Sequence, residues 1–269
     1  MLSRPNTYPR DTILAMLEES GTWVSGEAVS ARLGISRAAV GKHVAVLRSE
    51  GHAIEAVTRK GYRLVALRDA VNADAVAPLL DTRFFGKAGW TVLETTASTN
   101  LLAASLAGDG ACEGHVVVAE RQTRGRGRKG HDWVFVPRSI QFSVLLYPQT
   151  PAWSAEAFTR LAAGAVADAI REFTRLESVF KTPNDVLVNG KKVAGVLVET
   201  GYRGTEPEWA VVGVGCNVNA LPGDFPESVR GNVTSLLAET GGPVARGALL
   251  AAMLQRLETA YLPLREQTP

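Results

Sequence analysis

The spacing of the apolar residues changes character along this chain, and the change limits what it can fold into. Before residue 50 they recur with a helical period. Ile13, Leu14 and Leu17 stripe a first helix over 11–19. Val29 and Leu33 stripe a second, between Ser25, a good N-cap, and Gly34, a good left-handed terminator. Val40, Val44 and Leu47 stripe a third behind the cap Ser36, with Ile35 placed to staple onto Val40. From residue 85 onward apolar residues instead come in short runs that read as strands, over 90–94, 115–120, 140–146, 186–188, 192–199 and 208–215. A helical module ahead of a sheet-based unit follows, in the α+β class.

The face of the third helix opposite its apolar stripe carries Arg37, Gly41, Lys42 and Arg48, with nothing acidic before Glu50. Two short strand-like runs, 54–58 and 62–64, come next, joined by Arg59-Lys60-Gly61. A capped basic helix followed by a basic-tipped hairpin spells a winged helix-turn-helix, and a three-helix protein–protein module is the competing reading. Charge favours the first. Residues 1–68 hold ten Lys/Arg against six Asp/Glu, net +4, while the whole chain is only +2. Phosphate contacts supply much of the binding free energy of DNA-binding modules, and Ser36, Arg37, Lys42, Arg48, Arg59 and Lys60 are the expected DNA contacts. The stretch Ser25 to His43 also strongly resembles the DNA-binding domain of bacterial biotin repressors. The expected division is a winged helix over 1–68, a linker over 69–84 and a second domain over 85–269.

At 269 residues and 46% hydrophobic content there is ample material for two cores. No apolar run approaches the roughly 20 residues of a spanning helix, and the N-terminus lacks the apolar stretch of a signal peptide. Cytoplasm is the expected compartment. Cys112 and Cys216 are far apart and outside any Cys/His cluster, so both are expected to be buried small hydrophobes rather than a disulfide or zinc ligands.

In the second domain Asn189-Gly190 signals a type I′ hairpin, and 155–173 repeats apolar residues at helical spacing. A sheet with helices on one face is the natural assembly. Polar clusters interrupt it. Five cations crowd Arg121 to Lys129, interleaved with Gly125 and Gly127 and followed by Gly130. Cations so close repel one another unless an anion binds among them, and glycine lets the backbone wrap a ligand closely. A phosphate- or carboxylate-binding loop is the first reading, a solvated basic turn the second. A dinucleotide fingerprint fails on context, because 131–136 reads as strand rather than helix. Ser98-Thr99-Asn100 can cap a helix or read a ligand. Lys181 with Pro183-Asn184-Asp185 can hold an anion and a magnesium ion, or be an ordinary turn. These clusters offer anion binders and hydrogen-bond readers without a conventional nucleophile, which implies transfer by positioning and charge neutralisation.

Taken in order, Ser98-Thr99-Asn100, Gln122 with Gly125 to Gly130 and Trp133, Lys181-x-Pro-Asn-Asp185, Lys192-x-Ala-Gly-x-Leu-Val-Glu199 and Gly213-x-Gly-x-Asn217 resemble the motif series of biotin protein ligases. With the winged helix, the chain resembles the bifunctional ligases that also repress the biotin operon, over about residues 10 to 260. The resemblance implies a mixed-sheet catalytic domain of the biotin/lipoate ligase type. It also implies a reaction in which biotin and ATP, with Mg2+, give biotinyl-5′-AMP and pyrophosphate, after which biotin passes to a lysine of the biotin carboxyl carrier domain of acetyl-CoA carboxylase. Operator DNA, a homodimer promoted by biotinyl-5′-AMP and the absence of any membrane partner belong to the same expectation. By resemblance Ser98, Thr99, Asn100 and Gln122 contact the biotin rings. Gly125, Arg126, Gly127 and Arg128 wrap the carboxylate and adenylate, and Lys181 holds acyl or phosphate oxygens, so that Lys181, Arg126 and Arg128 form the catalytic set. Asn184 and Asp185 lie near the ATP phosphates and magnesium, and Gly195 and Asn217 complete the ligand-binding set.

Departures from the family pattern mark what the resemblance leaves open. The usual GRGRxGRxW has His131 for its third arginine and Asp132 after it, and KWPND has Thr182 for its tryptophan. After an expected helix over 245–262 the chain ends at Pro269, so the family's small C-terminal β-barrel is expected to be missing. The alternative function is a biotin-sensing repressor with weak or lost transfer. A lipoate ligase is disfavoured because the RRxxGGG signature is absent.

Overall fold

The computed structural model describes residues 9–49, 52–66, 69–148 and 153–265. Contacts divide the chain after Ala70 into two units. In the first, α1 (Pro9–Ser20), α2 (Gly26–Leu33) and α3 (Arg37–Ser49) precede an antiparallel hairpin of β1 (Ala53–Val57) and β2 (Gly61–Ala66). The expected caps form: Ser25 Oγ accepts from Ala28 N at 3.0 Å, Ser36 Oγ accepts from Ala39 N at 3.2 Å, and Gly34 closes α2 at φ 66°. The apolar stripes meet in one core of Ile13, Leu17, Val29, Val40, Val44, Leu47 and Ile54.

The hairpin is fastened to the helices. Val24 and Tyr62 exchange two backbone hydrogen bonds of 2.8 Å, and at Gly61, with φ 103°, a Cβ would stand 2.1 Å from Val24 O. Of the six expected DNA contacts, Arg37 and Arg59 line one groove between the starts of α2 and α3 and the wing, and Lys42 and Lys60 are exposed. Ser36 caps α3. Arg48 donates Nε to Ile54 O at 2.7 Å, tying α3 to β1. Trp23 faces two cations of the wing, with Lys60 Nζ 5.8 Å and the Arg63 guanidinium 5.1 Å from its ring centre. Cation–π contacts at exposed sites contribute about 0.5–1 kcal/mol each. Trp23→Ala should therefore loosen the wing and, if the expected DNA contacts are made, weaken DNA affinity by roughly two- to fivefold without unfolding the unit; unchanged affinity in a DNA titration at fixed salt would show the indole to be irrelevant to wing placement.

The second unit begins earlier than expected. Residues 69–84 were expected to form a linker, yet Asn72 caps α4 (Ala73–Val76), and Val71, Val76, Leu80 and Phe85 are buried in the main core. Then come β3 (Trp90–Thr96), α5 (Thr99–Gly108), β4 (Val116–Gln122), β5 (Ile140–Leu146), α6 (Ala155–Thr174), β6 (Ser178–Lys181), β7 (Asp185–Val188), β8 (Lys191–Arg203) and β9 (Glu206–Cys216), followed by α7 (Glu227–Arg230), α8 (Leu236–Thr240) and α9 (Arg246–Arg265). The strands make one sheet in the order β3-β4-β5-β9-β8-β7-β6, parallel between β3 and β4 and antiparallel elsewhere. Asn189 and Gly190, at φ 50° and 78°, make the expected I′ turn between β7 and β8.

The sheet is covered on both faces, not one. Side chains alternate along a strand: Ile140, Phe142, Val144 and Leu146 of β5 join the core beneath α6 and α9, while Leu145 meets Val117, Val211 and Ala103 under α5. By that alternation Gln141 and Ser143 also face α5, which prepares a polar floor there. Buried Arg246 grips α9 to the sheet through both oxygens of Glu120, at 2.8 and 3.2 Å, and through Ser139 O. Among the described residues no helix is long and apolar enough to cross a membrane. Cys216 is buried and its thiol pushed up by desolvation, whereas Cys112 is exposed, contrary to expectation.

Candidate active site

A cavity of about 230 Å³ opens between the start of α5, the segment 122–133 and the facing stretches of β8 and β9. That is somewhat below the usual range of small-molecule pockets, room for one compact ring system with a larger ligand extending out of the mouth. Its floor is polar and buried: Ser98, Thr99 and Asn100 are each 5% exposed or less. Ser98 occupies the N-cap position of α5 without making a side-chain cap bond, so its hydroxyl is not spent on the helix.

The orientation of the floor follows from groups whose polarity is fixed. Thr99 N–H can only donate, and it donates to Gln122 Oε1 at 2.7 Å. The Gln122 amide nitrogen is thereby turned to Gln141 Oε1, at 2.9 Å, and Gln141 Nε2 in turn faces Glu120 O. Ser143 Oγ lies 2.8 Å from Thr99 Oγ1 and donates to Asn100 Oδ1 at 2.7 Å, while Asn100 Nδ2 donates to Glu199 Oε2 at 2.8 Å.

The Arg/Gly segment folds back on itself. Gly127 N donates to His131 O at 2.7 Å, Trp133 N donates to Gly125 O at 3.0 Å, and Gly130 turns the chain at φ 77°. This short ladder presents Arg126, Gly127 and Arg128 to the cavity. Arg126 Nη1 lies 3.0 Å from Glu199 Oε1. The Trp133 indole lies on two glycines: a Cβ on Gly215 would stand 2.3 Å from it and one on Gly195 3.1 Å. Lys192 Nζ is 2.5 Å from Asp185 Oδ1 and 5.3 Å from the Trp133 ring centre. The cavity wall thus brings the uncharged readers Ser98, Thr99, Asn100 and Gln122 together with the cations Arg126, Arg128 and Lys192 and the acids Asp132 and Asp185, a set suited to a ligand with a polar ring and an anionic group.

Residues 92–217 match the biotin/lipoate A/B protein ligase family, and residues 9–63 match a helix-turn-helix domain. The bifunctional ligase/repressor BirA of Bacillus subtilis is 35% identical over 257 residues, covering 95% of this chain and 79% of that protein. The chain belongs to the bifunctional biotin ligase/repressor family. The Escherichia coli relative is 31% identical over 98% of this chain and 79% of its own length. The biotin protein ligase of Aquifex aeolicus, solved in complex with biotin and ATP, superposes with a TM-score of 0.58 at 30% identity, over 67% of this chain and 73% of that one.

Of the residues this family's motifs singled out, the cavity wall collects Ser98, Thr99, Asn100, Gln122, Arg126, Gly127, Arg128, Asn184, Asp185 and Gly195. Three lie elsewhere. Lys181 is exposed at the end of β6 and outside the wall; the turn that follows carries Asn184 and Asp185 into the wall and leaves Lys181 behind. Gly125 is buried behind the wall, where a Cβ would stand 2.6 Å from Trp133 O. Asn217 fastens backbone, with its N–H on Val193 O at 2.8 Å and Nδ2 on Thr234 O at 3.1 Å. Sequence reasoning also left Lys192, Trp133 and Glu199 without roles although their motifs were recognised. Gln141 and Ser143 went unremarked; polar residues at alternate positions of an otherwise apolar strand were the signal.

Proposed function

We propose that this cavity is where biotin is activated and held, with Lys192 taking the part expected of Lys181. The chain is an ATP-dependent biotin protein ligase that forms biotinyl-5′-AMP and passes biotin to a lysine of a biotin carboxyl carrier domain, and its N-terminal unit serves repression through DNA binding. The observation carrying the reading is one cavity whose wall brings Ser98, Thr99 and Gln122 together with Arg126, Arg128 and Lys192. A carboxylate oxygen of biotin attacks the α-phosphorus of ATP and pyrophosphate leaves; the acceptor amine then attacks the acyl carbon and AMP leaves.

Both reacting partners are anions in the first step, so the cations at the mouth lower their mutual repulsion and the charge developing on the transferring phosphorus. Hydrogen bonds from the floor fix the ring end and bring the carboxylate to the mouth already oriented. Trp133 and the Arg/Gly turn shield the acyl phosphate from water until the lysine arrives. Asp185 and Asn184 supply two oxygen-bearing side chains beside the mouth, which fits Mg2+ carried in on ATP phosphates, since that ion is usually held by one or two carboxylates plus phosphate and water. When bound it would neutralise phosphate charge. A homodimer promoted by biotinyl-5′-AMP, reached through the Arg/Gly turn, would link ligand occupancy to operator affinity.

Biotin-dependent ATP–pyrophosphate exchange tests the activation half, and operator binding with and without biotin plus ATP tests the repressor half. Exchange that needs biotin, and DNA affinity that rises when both ligands are present, are expected. Exchange driven equally by lipoate, or absent at saturating ATP, would overturn the ligase reading.

A further inference from the structure

Glu199 stands where two parts of the site meet, between Asn100 at the start of α5 and Arg126 of the Arg/Gly turn. It lies on β8 opposite Val211, with a side chain 26% exposed. Its two oxygens serve different partners: Oε2 accepts from Asn100 Nδ2 at 2.8 Å, and Oε1 is 3.0 Å from Arg126 Nη1. Asn100 is pinned in turn, because its Oδ1 accepts from Ser143 and it fits only against Gly213, where a Cβ would stand 1.9 Å from that oxygen. With both ends of its amide committed, Asn100 acts as an internal strut that holds Glu199 by one carboxylate oxygen.

We propose that Glu199 is the positioning residue that seats Arg126 over the cavity mouth and couples the ring-binding floor to the Arg/Gly turn. The inference rests on the ligase reading. Arg126 is anchored through Nη1, so the Nε edge of its planar fork stays available to a ligand carboxylate or phosphate. An arginine on a glycine-rich turn has many rotamers to lose on meeting a ligand. A fixed carboxylate behind it removes that cost before the ligand arrives.

Coulomb's law by itself predicts the opposite sign. A negative group near the mouth opposes an anionic ligand, so neutralising it would tighten binding. The direction of the change therefore separates seating from mere charge. Glu199→Gln is close to isosteric and offers one acceptor and one donor end, so it can serve Asn100 or Arg126 but not both.

The test measures KM for biotin, KM for ATP, kcat and the lifetime of enzyme-bound biotinyl-5′-AMP in the full chain for wild type, Glu199→Gln, Arg126→Gln and the double variant. Seating predicts a rise of about ten- to thirtyfold in biotin KM, adenylate lost several-fold faster, and a double variant no worse than Arg126→Gln, because residues that act as a unit are non-additive. If Glu199→Gln does not fold, the same cycle is run with Glu199→Asp, which keeps the charge but shortens the reach. Wild-type or lowered biotin KM, or effects that multiply in the double variant, overturn the inference while leaving the ligase reading intact. A wild-type chain without activity sinks the ligase reading instead.

Discussion

Lys192→Gln is expected to slow adenylate formation by about 10²–10³-fold, the loss typical of removing one positioned donor from developing charge. The lysine belongs to the cavity wall, 2.5 Å from Asp185 and over the face of Trp133. Stability should change little, because both members of the ion pair are about 30% exposed, 30% for Lys192 and 29% for Asp185, and partly exposed pairs contribute about 0–1 kcal/mol. Lys181→Gln should stay within about twofold of wild type, since Lys181 is exposed and takes no part in the cavity wall. Pre-steady-state formation of biotinyl-5′-AMP with purified variants decides the matter. The reverse ranking, with Lys181 the damaging change, would return the catalytic role to the Pro-Asn-Asp turn and remove it from β8.

Gly215→Ala is expected to disable the site by a different route. One methyl there would lie 2.3 Å from the Trp133 indole, which is a collision rather than a contact. Either the strand shifts or the tryptophan leaves, and overpacking of this kind costs about 1–3 kcal/mol. If the tryptophan leaves, Lys192 loses the ring face it sits over and the backbone pairing of Trp133 with Gly125 is disturbed, so adenylate retention should fall about 10²-fold, as expected when positioning groups are displaced by an ångström or more. Gly164→Ala is the control, because a Cβ in the middle of α6 meets nothing within 4 Å. There the exchange should stabilise by about 0.5–1 kcal/mol and leave biotin transfer untouched. Thermal denaturation alongside adenylate off-rates reads both effects. An active, stable Gly215→Ala protein would mean that the indole does not need the glycine pair.

Much of this was legible in the residues because short-range physics fixes it. The caps at Ser25, Gly34 and Ser36, the Asn189-Gly190 turn and strand β5 follow from local rules that tertiary packing reinforces. What the chain concealed depends on where strands place their faces. The second core under α5 was hidden because β5 is buried on both sides, so its apolar run gives no alternation beyond Gln141 and Ser143. The stretch 69–84 passed for a linker because Val71, Val76 and Leu80 are too sparse to announce a helix, yet each fills the core of the second unit. At the site, the motif letters found the segments that form the cavity wall but not which lysine belongs to that wall. Lys181 and Lys192 both flank the β7 hairpin, and only the β7–β8 pairing tells which of them shares the wall with Asp185. The glycines of β8 and β9 read as motif punctuation, and they serve instead as seats for Asn100 and Trp133.

The most direct measurement is the mass of a purified biotin carboxyl carrier domain after incubation with this chain, biotin, ATP and Mg2+. A mass gain of one biotin at one lysine is predicted, lost when ATP is omitted and strongly slowed by Lys192→Gln. A carrier domain left unmodified at saturating ATP, by a chain that still binds biotin and operator DNA, would contradict the account and leave a sensor in place of a ligase.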